Sequence, residues 1–200
     1  MQKQKRILVT FDLNCLLGYV APCKKFSKEN SLYQEYPPHK VVEGFNIWNR
    51  PNLDILLNYL FVSKRNNFDV GVWGCQTKEN SAFQINNFLG TMKYNLKFAL
   101  FTKPPEDYDK NSLLPFPFKR DLRIIFDKHE EYDEFNTIIF TNYVNEQSEF
   151  RENEVVLPLY HPEIGSTQFD NDAHMYYTME YLGLIYSMTI KQKSKIIIFK

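Results

Sequence analysis

Two hundred residues carry 24 Lys plus Arg against 24 Asp plus Glu, a formal charge of zero that leaves no electrostatic footprint for a nucleic-acid or anionic-membrane binder. The length suits one domain with a proper core, and no stretch offers the roughly 18 uncharged apolar residues of a bilayer span. The three cysteines, Cys15, Cys23 and Cys75, match neither a zinc ribbon nor a secreted disulfide framework, and they read as reduced thiols of an intracellular protein.

Met1 to Arg6 is basic and runs directly into Ile7-Leu8-Val9-Thr10-Phe11, so no cleavable leader is expected ahead of the fold. Those five residues continue without a charge into Asp12 and predict a strand buried on both faces, its carboxyl end presenting one acid to a crevice. Open α/β sheets bind ligands at that end. The next polar position is Asn14, where a carboxylate would have made a paired acid site.

Gly18 to Trp48 holds three prolines at 22, 37 and 38 and no sustained periodicity, and it predicts a long connection. A helix opens at Arg50-Pro51, with Asp54 near its positive end and Leu53, Leu56, Leu57 and Leu60 on one stripe, and ends near Asn66-Asn67. Phe68 to Trp73 is a second strand, closing on Gly74-Cys75-Gln76. Thr77 caps a helix with Phe83, Ile85, Phe88 and Leu89 inward, stopped by Gly90. Leu96 to Phe101 is a third strand, and Pro104 to Pro117 a proline-rich loop.

A helix from about Phe118 to Lys128 follows, with Leu122, Ile125 and Phe126 inward. Thr137 to Phe140 is a fourth strand ending at Thr141-Asn142, and Val155 to Leu157 a fifth after a short helix. The last helix, about Asp172 to Thr189, buries Met175, Met179, Leu182 and Ile185. Residues 1–190 thus form a three-layer, Rossmann-like α/β domain with a mostly parallel central sheet of about five strands. Residues 191–200 form a strand-like tail whose Ile196, Ile197, Ile198 and Phe199 are expected to dock on the domain's own sheet or on another chain.

The order of these segments resembles a known family. Phe11-Asp12-Leu13-Asn14, Arg50-Pro51-Asn52-Leu53, Val70-Gly71-Val72-Trp73 before Thr77-Lys78-Glu79-Asn80, Lys119-Arg120-Asp121-Leu122, and Tyr132-Asp133-Glu134-Phe135-Asn136-Thr137 follow one another as in the NLI-interacting-factor-like, RNA-polymerase C-terminal-domain phosphatases of the haloacid dehalogenase superfamily. The similarity runs from about residue 7 to 185.

The resemblance implies a haloacid-dehalogenase-like sheet with a site at the strands' carboxyl ends. In active members the first strand ends Asp-x-Asp-x-Thr: the first acid attacks phosphorus, and the second protonates the leaving group and then activates water. Hydroxyl and lysine groups hold the phosphate, and an Asp-Asp or Asp-Asn pair after the fourth strand holds Mg²⁺.

Carried over position by position, Asp12 falls on the nucleophile, and Asn14 falls on the acid/base, where an amide cannot exchange a proton. That loss alone is worth on the order of 10²–10⁴-fold. Leu16 falls on the motif threonine, Gly74 on the phosphate-binding hydroxyl, and Thr141-Asn142 on the metal acids. Lys119 or Arg120 stands for the phosphate-binding lysine as an anion-binding candidate. The four histidines, His39, His129, His161 and His174, show no ligand spacing.

The reading is therefore a degenerate member: Asp12 vestigial, no metal, no cofactor, and a role as a structural or interaction subunit of a larger protein assembly. The family's mitochondrial branch makes the mitochondrion the preferred compartment over cytoplasm or nucleus. Two alternatives stay open. One is a residual Mg²⁺-dependent phosphatase of phosphoproteins that recruits an acid such as Asp121 or Glu146; the other is a phosphate or phosphopeptide binding module.

Overall fold

The computed structural model describes residues 5–13, 15–25, 34–102, 120–143, 148–161 and 172–192. Strand β1, Ile7–Asp12, is buried at all six positions, as its uncharged run requires. It is the middle strand of a five-stranded parallel sheet. On one side of it lie β5, Phe68–Gly74, and then β6, Phe98–Phe101. On the other lie β7, Thr137–Thr141, and β8, Glu154–Val156. Asp12 is in register with Trp73, and Phe11 with Phe140, so the acid reaches the carboxyl edge level with its neighbours' ends.

Alternation along β1 divides its side chains between two cores. Ile7, Val9 and Phe11 enter a cluster with Leu53, Leu56, Leu57 and Leu60, Ile85 and Phe88, and Met175, Leu182 and Ile185. Leu8 enters a second cluster with Trp73, Leu122, Ile125, Tyr132 and Ile139 on the opposite face. Helices therefore cover both faces, which is a three-layer, Rossmann-like arrangement. Each such side chain, taken from water to full burial, contributes about 1.5–3 kcal/mol. Phe11 and Phe140 stack with centroids 5.3 Å apart.

Helix α1, Leu53–Asn58, buries the expected leucine stripe, and continues as one π-helical turn, Tyr59–Ser63, closed by Lys64 N–H on the Tyr59 carbonyl at 2.8 Å. It stops short of Asn66-Asn67 because the chain turns at 64–67 to enter β5. Helix α2, Lys78–Leu89, starts where Thr77 Oγ1 accepts Asn80 N–H at 3.2 Å, and ends at Gly90 with φ 55°. Helix α3 is only Arg123–Phe126, shorter than the predicted Phe118 to Lys128. Asp121 Oδ1 takes Arg123 N–H at 3.1 Å at its start, and Lys128 and His129 both close on the Ile125 carbonyl at its end. Helix α4, His174–Gln192, buries Met175, Leu182 and Ile185 and runs past the predicted stop at Thr189.

The stretch 18–48, expected to be one long connection, contains the strands of a second sheet among its described residues. Strands β2, Gly18–Pro22, β3, Lys40–Val42, and β4, Phe45–Asn49, pair antiparallel in the order β2-β4-β3. Val42 faces Phe45 across Glu43 at φ 50° and Gly44 at φ 80°, and two consecutive positive φ values twist a two-residue hairpin correctly. Glu43-Gly44 was the local signal for this hairpin. Residues Ile196 to Phe199 of the tail, the loop from Pro104, Lys119, Glu146 and Asn14 lie outside the described residues.

Candidate functional site

The carboxyl ends of β1, β5 and β7 bring Asp12, Gly74 and Thr141 to one edge of the parallel sheet. Leu13 N–H donates to the Trp73 carbonyl at 2.9 Å, extending the ladder one residue past Asp12 and fixing where that carboxylate sits. Asp12 has no exposed surface.

A buried carboxylate needs a partner, and Arg120 supplies it. The Arg120 guanidinium, 2 % exposed, forms an ion pair through Nη2 with Asp12 Oδ2. The anion-binding candidate at 120 is thus placed against the residue matched to the nucleophile. Thr141 Oγ1 lies 3.5 Å from the same oxygen and 3.3 Å from the Tyr143 carbonyl. Its single hydrogen serves one of them at a time.

The thiols past β1 and β5 respond to this acid. Burial, and then the charge of Asp12, push the Cys15 thiol up to about 12. The same two causes, in the same order, push Cys75 up to about 12, with Arg120 opposing them. Both are therefore protonated at neutral pH and poor nucleophiles.

Gly74 is matched by the resemblance to a phosphate-binding hydroxyl, and the packing around it leaves no room for one. A Cβ built there would lie 2.6 Å from Ser81 Oγ and 3.3 Å from Leu13 Cδ1. Ser81, at the start of α2, is fully buried and closes that space from the helix side.

Periodicity gave no sign of a second buried ion pair, which anchors the turn after Asp12. Arg50 Nε donates to Asp172 Oδ2 at 2.9 Å, and Arg50 Nη2 lies 2.8 Å from that oxygen, with both side chains buried. Arg50 also donates from Nη1 to the Leu16 carbonyl at 3.1 Å and from its backbone to the Leu17 carbonyl at 3.0 Å. Leu16 itself is fully buried. Cys15, at φ 51°, accepts Tyr160 N–H at 2.9 Å. Burial pushes the Asp172 carboxyl up, but the bonds and charge of Arg50, together with the backbone and ring of His174, outweigh it and hold the group below the ordinary carboxylate value.

The donor set at the strand ends is a poor one for Mg²⁺. Among the described residues it offers one carboxylate, already neutralised by a guanidinium, one threonine hydroxyl and the Asn142 carboxamide, and no cluster of three His, Cys, Asp or Glu side chains occurs. Mg²⁺ needs carboxylate-anchored, near-octahedral oxygen ligation. Among the described residues no helix is long and apolar enough to cross a membrane.

No family model matches the chain. The CTD phosphatase-like protein 355R of Invertebrate iridescent virus 3 is 29% identical over 100 residues, covering 48% of this chain and 52% of its own. Among solved structures, Fcp1, an essential RNA polymerase II CTD phosphatase, superposes over 88% of this chain and 50% of its own with a TM-score of 0.52 at 14% identity. A variant of the fission yeast RNA polymerase II CTD phosphatase Fcp1 bound to beryllium fluoride gives a TM-score of 0.54 at 14% identity, over 92% of this chain and 52% of that one.

At that identity the structural likeness shows the fold alone, a Rossmann-like fold shared with these two structures. The sequence relative is a CTD phosphatase-like protein and the two structures are of a CTD phosphatase, and the chain spans about half the length of the relatives it matches.

Proposed function

We propose that this phosphatase-like domain has lost turnover and serves as a structural or interaction subunit of a larger intracellular protein assembly. The observation that carries the reading is the buried Asp12–Arg120 pair. An attacking carboxylate must reach phosphorus with its lone pair available, and one held by a buried guanidinium is occupied and hidden from substrate.

Other features agree. Asn14 is an amide and Thr141 a hydroxyl where a working site of this type uses acids, and uncompensated repulsion between a carboxylate and a phosphate dianion is the term such sites exist to cancel. The mitochondrion is the compartment proposed for the assembly, on the resemblance alone, and organelle fractionation with an antibody to the chain tests it.

The relatives' names favour a second reading, residual phosphatase activity on a phosphoprotein, since Asp12 is kept where they would place the nucleophile. An assay with an aryl phosphate and Mg²⁺, comparing wild type with Asp12→Asn, separates the two. The first reading predicts no Asp12-dependent turnover; activity that disappears in the variant establishes the second.

A further inference from the structure

At the opposite end of the sheet, where β1 and β5 begin, lies a cleft of about 350 Å³. That is within the size range of small-molecule pockets. Its walls combine Leu60, Phe61 and Phe68 with Arg65, Asn66 and Asn95. Leu60 and Phe61 belong to the π-helical turn Tyr59–Ser63, a local departure from α-helix that recurs at functional positions.

The one acid of the cleft, Asp69, is already used. Its Oδ1 pairs with Arg6 at 3.0 Å, and its Oδ2 accepts the Tyr132 hydroxyl at 2.7 Å. Arg6 is likewise spent, donating to the carbonyls of Arg65 and Phe68 besides pairing with Asp69. By contrast the Arg65 guanidinium and the carboxamides of Asn66 and Asn95 make no hydrogen bond or ion pair among the described residues. The cleft therefore presents one uncompensated positive charge and a surplus of N–H donors, with the part-buried Phe61 ring as its accessible apolar group.

We infer that this cleft binds a small molecule carrying an oxyanion on an aromatic or aliphatic body, the oxyanion on Arg65 and Asn95 and the body against Phe61. Carboxylates and phosphomonoesters share that chemistry. A guanidinium with neighbouring amide donors suits planar or tetrahedral oxyanions, and contact with the Phe61 ring distinguishes an organic anion from a bare inorganic one. The site is separate from Asp12, and its occupancy does not depend on whether Asp12 turns substrate over.

Titration calorimetry with phenylphosphonate, which no phosphatase hydrolyses, and with benzoate tests this on the full chain. Saturable binding of at least one is expected, tighter than that of inorganic phosphate, and weakened at least tenfold by Arg65→Glu and by Asn95→Asp. Both positions are exposed, so thermal midpoints of the variants should stay near wild type and report that the fold is intact. Absence of saturable binding by either organic anion at millimolar concentration, or binding that both variants leave unchanged, overturns the inference.

Discussion

Arg120 and Asp12, 108 residues apart in sequence, form one buried ion pair at the carboxyl edge of the central strand. Removing one member of a buried ion pair takes away the main compensation of the charge that stays behind. Arg120→Ala and Asp12→Ala are each expected to lower unfolding free energy by about 3–5 kcal/mol. The apolar pair Asp12→Leu with Arg120→Met should recover most of that, because burying two ions costs more than burying their apolar counterparts. Urea denaturation of the four proteins measures it.

Gly74 gives a prediction about repair. Restoring a hydroxyl there as Gly74→Ser would place Cβ 2.6 Å from Ser81 Oγ, so the variant should lose about 1–3 kcal/mol of stability and gain no phosphatase activity. Gly74→Ser combined with Ser81→Ala should regain part of the loss, since the atom in the way is then gone. Thermal denaturation of the single and double variants is the check.

The Arg50–Asp172 pair carries a pH signature. Asp172 is held below its ordinary 3.8 in the folded chain, so its contribution is present above pH 3.8 and is lost as pH falls through the depressed folded value. Asp172→Asn should be less stable than wild type by about 3–5 kcal/mol near neutrality, because Arg50 keeps its buried charge. The gap between the two should narrow below pH 3.8, as wild type protonates toward the state the amide imitates. Denaturant midpoints from pH 7 down to 3 follow both effects.

Thiol chemistry follows from the same electrostatics. With Cys15 and Cys75 pushed up to about 12, iodoacetamide at pH 7.5 should modify native protein mainly at Cys23, and all three cysteines only in denaturant. Peptide mass mapping reads the order. Rapid modification of Cys75 in native protein would mean that the pocket around Asp12 is open and less negative than the structure has it.

The central strands and the leucine stripe of α1 were legible in the sequence because burial on both faces or on one stripe imposes a local pattern. Strands β2, β3 and β4 were not, being three to five residues long in a proline-bearing region where alternation has no room to show. Glu43-Gly44 marked their hairpin, but its weight depends on the strands it joins. Asp12, Gly74 and Thr141 could be placed at one sheet edge from their positions at strand ends. The resemblance put Arg120 in the same site as Asp12 but not in an ion pair with it. The Arg50–Asp172 pair left no sign, since its partners lie more than a hundred residues apart and pairing at that distance leaves no periodicity. Ser81 was missed because a serine in a helix carries no sign that it stands against a glycine.

The decisive measurement is a crystal structure of the protein grown with Mg²⁺ and beryllium fluoride, a mimic of the aspartyl phosphate. The account predicts an unmodified Asp12 still paired with Arg120. A fluoride-bearing beryllium bonded to Asp12, with Mg²⁺ beside it and Arg120 swung away, would contradict this account.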